Sequence, residues 1–224
     1  MARTSVEVRA LTLQYVTSMP PPINRAYAEW EKSVHDFMLV TDKYIVKAIP
    51  VLLLTHRLSG DPVWTFLIAP SASGKTEFIK AMEGLKGVNP ISSMTSKTLI
   101  SGAKMMGGVS ASLLTEVKNG YLTFEDFTTI AAEGDEETKA IFGQLRAIYG
   151  GKFDKRFGTG ETVSWEGKIT LIAGATHAIH KTRQLFSSMG ERFICYNIDT
   201  PDREEATLRT MHNHEGDLSG FRKN

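Results

Sequence analysis

Hydrophobic positions change their period along this chain, and the changes divide it. Over residues 1–18 apolar side chains alternate loosely (Val6, Val8, Leu11, Leu13, Tyr15), the pattern of an edge strand or a mobile arm. Pro20, Pro21 and Pro22 break regular structure and mark a first boundary. From Asn24, an N-cap residue type, apolar residues return at helical spacing as Tyr27, Trp30, Val34, Phe37 and Met38. A second helical pattern covers about 43–58 and stops at Ser59-Gly60-Asp61-Pro62.

Beyond Pro62 the pattern becomes that of a layered α/β fold. Residues 63–68 (Val-Trp-Thr-Phe-Leu-Ile) form a short, nearly continuous apolar run, as expected of a strand buried on both faces. A helix pattern follows at 75–85, then a turn-rich stretch to Pro90. Further strands are expected at 121–125, 168–173 and 193–198, and helices at about 110–118, 135–149 and 202–212. Strands alternating with helices predict a parallel sheet flanked by helices. The division expected is an N-terminal arm and helical segment over 1–59 and an α/β core over 60–224.

Composition narrows the class without naming it. The 224 residues are 42% apolar and 23% charged, ordinary for a globular chain and unlike disordered, collagenous or coiled-coil sequences. With 26 Lys+Arg against 25 Asp+Glu, the net charge of +1 provides no global field, so any nucleic-acid site has to be a local patch. The single cysteine, Cys195, cannot form an internal disulfide. The N-terminus lacks a signal-peptide pattern, and the most apolar stretch, 45–54, carries Lys47 and Pro50 and falls short of the roughly 20 residues a span needs. The expectation is a soluble cytoplasmic protein with no membrane segment.

The strongest chemical signal is Ala69-Pro70-Ser71-Ala72-Ser73-Gly74-Lys75-Thr76, at the junction of the first buried strand and a helix. It follows the phosphate-loop pattern G-x-x-x-x-G-K-[ST], with Ala69 in place of the first glycine. Small residues let backbone N–H groups face phosphates. Lys75 supplies a point charge for the β- and γ-phosphates, and the Thr76 hydroxyl suits Mg²⁺. Ala69 costs little provided its φ stays negative.

Such a loop needs an acid on a neighbouring strand, and 121–126 (Tyr-Leu-Thr-Phe-Glu-Asp) provides two about 50 residues downstream. Asp126, closing the strand, is assigned to Mg²⁺, and Glu125 to polarising the attacking water; the reversed Glu-Asp order leaves the exchange of these roles open. A third strand, in the segment 168–177, ends in the polar residues Thr176 and His177. Ligands bind at the carboxyl ends of strands in open α/β sheets, so either can position the water. His177 and His180 have helical metal-pair spacing but no further ligand beside them, which argues against zinc.

Placed in order, these segments resemble an AAA+-type P-loop ATPase of phages and mobile elements, over about residues 60–205. The matching parts are 69–76 (Walker A), 122–126 (Walker B), 171–176 (the sensor-1 strand) and 189–202, where Arg192 precedes the last core strand and Pro201-Asp202 follows it. The resemblance implies an AAA+ core that binds and hydrolyses ATP with Mg²⁺. It implies that Arg192 reaches a neighbouring subunit's nucleotide, and hence a homo-oligomeric ring, possibly a hexamer. Sensor 1 carries Thr176 where asparagine is frequent, and against the family pattern the helical lid with its sensor-2 arginine is expected to be absent or reduced to one helix. A cation supplied in trans is worth roughly 10³–10⁵ in rate in related NTPases.

Between Walker B and sensor 1, residues 149–165 hold glycines and alternating Phe153, Phe157, Val163 and Trp165, which predict a β-hairpin turning near 158–160. It is similar to the pre-sensor-1 insertion of helicase-type AAA+ proteins, including superfamily 3 helicases. In that reading Lys152, Lys155 and Arg156 contact DNA phosphates and Phe153 or Phe157 stacks on bases; in the other, the aromatics pack on the core. Arg146, on the preceding helix, could face a neighbouring subunit, and the Ser-, Thr- and Gly-rich segment 91–108 suits a loop near the pore or the nucleotide. Trp30, Phe37 and Tyr44 read as helix core rather than an adenine clamp. Three functions follow: a DNA helicase or translocase in phage or mobile-element replication; a non-motor ATP-dependent switch or loader assembling on DNA or a partner protein; and a small-molecule kinase. The last lacks an Arg-rich lid and leaves Arg192 idle.

Overall fold

The computed structural model describes residues 21–100, 112–131, 135–158, 160, 162–182, 190 and 192–200. The chain divides into two compact units, Met1–Leu53 with Ile198–Asn224, and Leu54–Asn197.

The first unit contains helix α1 (Pro21–Phe37) and all but the last two residues of α2 (Ile45–Thr55). Pro21 and Pro22 open α1 rather than precede it, because a first-turn N–H has no intrahelical acceptor to lose. Within this unit Trp30 donates its indole N–H to the Val46 carbonyl at 3.1 Å, as a core residue does. Asp42 is buried, caps the Tyr44 N–H at 2.9 Å and accepts the Asp199 N–H at 3.2 Å. Thr41 donates to the Asp199 carbonyl at 2.8 Å, so both backbone groups of residue 199 are held. Expected strand 1–18 and helix 202–212 lie outside the described residues.

The second unit is the predicted α/β core. Strands β1 (Trp64–Ile68), β2 (Val88–Ile91), β3 (Asn119–Phe124), β6 (Lys168–Ala175) and β7 (Phe193–Asn197) form one sheet in the order β2-β3-β6-β1-β7, every pair parallel. Between β3 and β6 the chain makes a separate antiparallel hairpin, β4 (Lys152–Arg156) with β5 (Thr162–Glu166). The helices of this unit are α3 (Lys75–Lys80), α4 (Ser96–Leu99), α5 (Leu113–Glu116), α6 (Thr128–Ala131) and α7 (Asp135–Tyr149), with a 3₁₀ turn at His177–Thr182.

Alternation along the strands sets the two faces. Trp64, Phe66, Ile68, Leu122, Phe124, Leu171 and Ala173 join Ile141, Phe142, Leu145 and Ile148 of α7 in the main core. Phe127 links them, with ring centroids 5.2 Å from Phe66 and 6.0 Å from Phe142. The opposite face carries Thr65, Leu67, Thr123, Thr170 and Ile172, and α3 lies against it, where Ile79 faces Gly174. The sheet is therefore covered by helices on both faces.

Two expectations change here. The segment 91–108 is not wholly a loop: Ser96–Leu99 is helical, Met94, Leu99 and Ile100 are buried in the core, and 101–108 lies outside the described residues. Helix 75–85 ends at Lys80, beyond which the backbone continues in tighter turns such as Met82 N–H to Ile79 carbonyl.

Gly174 is where β6 comes closest to the end of β3. A Cβ there would collide with the Glu125 carbonyl oxygen, a backbone atom that cannot rotate away. Gly174→Ala is expected to cost about 1–3 kcal/mol through overpacking. Gly143→Ala, on α7 with open space around it, is expected to gain up to about 1 kcal/mol from helix propensity. Urea unfolding of the two variants checks the opposite signs.

Candidate active site

β1 is flanked by β6 and β7, while the chain leaving β1 goes first to β2 at the far edge. The carboxyl end of β1 is thus a topological switch point, where crossovers diverge and leave a crevice. Residues 69–76 cross that end. Ala69 is fully buried and donates its N–H to the Ala175 carbonyl at 3.1 Å, fastening the start of the loop to β6.

Among the described residues Ala72 alone of the non-glycines has a positive φ, 61°, and Gly74 follows at 80°. Ala69 therefore keeps a negative φ, and its methyl brings no backbone strain. The strain falls on Ala72, since a left-handed alanine costs roughly 1–2 kcal/mol. Such strain persists only where the surroundings impose it, and it gathers at ligand clamps. Left-handed residues separated by one ordinary residue make a turn whose N–H groups can line a concave side and hold an anion.

Two side chains in the loop have donors to spare. Lys75 is buried, and its ammonium folds back to donate to the Pro70 carbonyl at 3.3 Å, at the long end of hydrogen-bond range. The Ser73 hydroxyl is buried with no hydrogen-bond partner among the described residues. Buried donors are normally satisfied, and phosphate oxygens are acceptors of the kind this pair lacks. Thr76 is half-buried in the first turn of α3.

The two acids at the end of β3 diverge. Glu125 turns toward α3, its carboxylate 3.6 Å from the Lys80 ammonium, both groups partly exposed. Asp126 turns into its own chain: its carboxylate accepts the Thr128 N–H at 2.9 Å and its carbonyl accepts the Thr129 hydroxyl at 2.9 Å. The Phe127 N–H donates to the Gly174 carbonyl at 2.7 Å, locking the turn to β6. Glu125 is thus the acid directed at the helix that follows the loop, and Asp126 shapes the turn behind it.

Thr176, just past β6, donates its N–H to the Thr128 hydroxyl at 2.9 Å, with the two hydroxyls 3.3 Å apart. The ends of β3 and β6 are joined at the site by this pair. Lys80 and Thr128 were missing from the sequence reading, for no periodic or motif signal marks a residue whose partner is remote in the chain. His177 and His180 are exposed, with ring centroids 6.3 Å apart.

Arg192 lies at the opposite end of the sheet. It precedes Phe193, which pairs with Trp64 at the start of β1, whereas the loop begins past Ile68. Five strand positions separate the two levels, about 16 Å at 3.3 Å per residue, farther than an arginine side chain extends. Its guanidinium carbon sits 5.3 Å from the centre of the Tyr149 ring at the end of α7. Burial raises the Tyr149 phenol above its ordinary pKa, Asp61 adds to the rise and Arg192 opposes it.

The hairpin separates the three basic residues singled out in it. Lys152 and Arg156 lie on its exposed face together with Asp154 and Glu166, and Lys152 pairs with Glu166 at 3.4 Å. That face has no net charge. Lys155 is on the other face, 5.2 Å from the centre of the Phe157 ring. Phe153, Phe157 and Val163 pack against the core, and Trp165 is buried with its N–H donating to the Val117 carbonyl at 2.9 Å. Phe153 and Phe157 pack on the core and remain partly exposed, as the core-packing alternative expects. No helix among the described residues is long and apolar enough to cross a membrane. No protein-family model matches the chain, and no curated protein matches it at a significant level.

Proposed function

We propose that the chain is an AAA+-like ATPase that assembles into a homo-oligomeric ring and acts as a DNA helicase or translocase. The observation that carries the reading is the loop 69–76: a strained left-handed Ala72, a buried Lys75 and a buried, unpartnered Ser73 hydroxyl at the switch point of a parallel sheet. A donor without an acceptor and an ammonium with one long hydrogen bond, held at the cost of backbone strain, suit a polyphosphate better than they suit the protein alone.

In this reading the loop N–H groups and Lys75 bind the phosphates, and Lys75 stabilises charge on the transferring phosphoryl group. Thr76 and one acid at the end of β3 would hold Mg²⁺, which neutralises phosphate charge when bound. Glu125 is better directed for metal or water than Asp126, whose carboxylate is occupied by the Thr128 N–H. Lys80 holds Glu125 until the nucleotide draws it inward. Thr176 orients the attacking water, and Asp126 and Thr128 position the strand ends.

The switch or loader has one observation in its favour, the charge-balanced exposed face of the hairpin, whose aromatics pack on the core. ATP hydrolysis across a protein concentration series, with and without single-stranded DNA, separates the readings. A motor shows a rate per subunit that rises with concentration and with DNA. A switch assembles on ATP with little stimulation. Hydrolysis strictly linear in protein and indifferent to DNA would sink both.

A further inference from the structure

The sheet end away from the loop gathers cations that are far apart in sequence. Lys168 opens β6, its N–H donating to the Lys118 carbonyl at 3.1 Å and to the Asn119 side-chain oxygen at 3.0 Å. Asn119 pairs with Lys168 in register, and Val88 pairs with Tyr121. Lys86 sits in the turn that leads into β2, where the Val88 N–H bonds the Leu85 carbonyl at 3.1 Å and the Gly87 carbonyl accepts the Tyr121 N–H at 2.9 Å. Neighbouring strands lie about 4.8 Å apart, so the start of β2, Lys118 and Lys168 follow one another along this end of the sheet.

Arg57 joins them: its charge acts on the Tyr121 phenol, while burial is the larger influence there. Lys86, Lys118 and Arg57 are exposed, and no ion pair among the described residues engages any of the four cations. Within the row lies an aromatic pair, His56 and Tyr121, with ring centroids 4.6 Å apart and both rings partly exposed. His56 also bonds the Thr170 hydroxyl at 2.9 Å. Burial first and Lys168 second hold its imidazole below the ordinary pKa, so the ring is neutral at pH 7.

We infer that this edge, formed by Arg57, Lys86, Lys118 and Lys168 around the His56–Tyr121 pair, binds single-stranded nucleic acid. The Lys168 ammonium donates to the Leu58 carbonyl at 2.6 Å, which leaves its charge unneutralised. Cations without a carboxylate partner among the described residues can track a phosphate backbone, and partly exposed rings between them offer stacking faces to unpaired bases, the combination that single-strand sites use. The hairpin's exposed face, two cations against two anions, has no surplus. The inference rests on the proposal that the chain works on nucleic acid and moves the contact from the hairpin to the sheet edge.

The test is fluorescence anisotropy of labelled oligothymidylate with no nucleotide present, so that it reads binding independently of ATP hydrolysis. Four phosphate contacts on a single strand predict a log–log salt slope of about −3, or about 50-fold weaker binding between about 50 and 200 mM salt. The double variant Lys86→Ala/Lys118→Ala is expected to halve that slope, His56→Ala to weaken binding by about tenfold at any salt, and Lys152→Ala/Arg156→Ala to change neither. Oligouridylate bound as well as oligothymidylate assigns the contact to the shared phosphates, and a preference names the sugar. Loss of binding in the hairpin variant with the edge variant unaffected overturns the inference, as does equal binding of duplex DNA or polyglutamate, or no binding by the wild type. Binding retained by a protein that never hydrolyses ATP would refute the ATPase proposal and leave the edge standing.

Discussion

Lys75→Ala will lower ATP hydrolysis by at least about 10²–10³-fold, the usual cost of removing one preorganised charge or donor from a developing anion. The same change will leave the free protein as stable as before, or slightly more so. Lys75 is buried, and the acceptor its ammonium reaches is the Pro70 carbonyl at 3.3 Å. A buried cation with so little compensation is costly to fold around, and alanine removes that cost. Opposite directions for activity and stability are the signature of a side chain held for a ligand. A structural lysine would give the reverse, a lower melting temperature with turnover intact. Lys75→Arg tests the fit of the cavity, since the planar guanidinium keeps the charge but not the compact shape, and little rescue is expected. Steady-state kinetics and thermal unfolding with and without Mg-ATP provide both readings. Nucleotide-dependent stabilisation should be present in the wild type and largely lost in Lys75→Ala.

The strands that build the centre of this sheet announce themselves. β1 and β6 are near-continuous apolar runs because both their faces are covered, and β3 ends where its apolar run meets Glu125. β2 does not: Val88-Asn89-Pro90-Ile91 has two apolar residues and a proline, tolerated because β2 lies at an edge of the sheet. The site divides in the same way. Lys75, Thr76 and Glu125, the residues the proposed site uses, stand out in the sequence because the chemistry proposed for them demands small-residue spacing and a strand-end acid. The choice between Glu125 and Asp126 was not, since it turns on whether a carboxylate caps its own turn or faces another helix. Nor was the cationic edge, for residues 57, 86, 118 and 168 become neighbours only through the order β2-β3-β6 and the register within it. Local pattern reports which faces are buried; pairing order, which decides what meets what, is set by contacts distant in sequence.

Arg192→Ala will lower hydrolysis by about 10³–10⁵-fold if the chain works as proposed, because that is the worth of a cation supplied to the transferring phosphoryl group. The geometry makes the trans requirement strict. Arg192 stands at the Trp64 end of β1 and the loop begins past Ile68, so no rotamer carries the guanidinium to its own Lys75. Arg192 is half-buried against Tyr149, its guanidinium carbon 5.3 Å from the ring centre. In the proposed ring, that end would have to meet a neighbour's loop. Mixing provides the decisive measurement. Lys75→Ala and Arg192→Ala subunits are each inactive alone, yet an interface that joins the intact loop of one to the intact arginine of the other is complete. Random assembly of equal amounts should return about a quarter of wild-type turnover, since one interface in four has that arrangement. Recovery in the mixture excludes a merely structural role for Arg192, which no partner subunit could rescue. No recovery, with both variants folded and assembled, would leave Arg192 as the cation that holds Tyr149 and would remove the strongest reason to expect a ring.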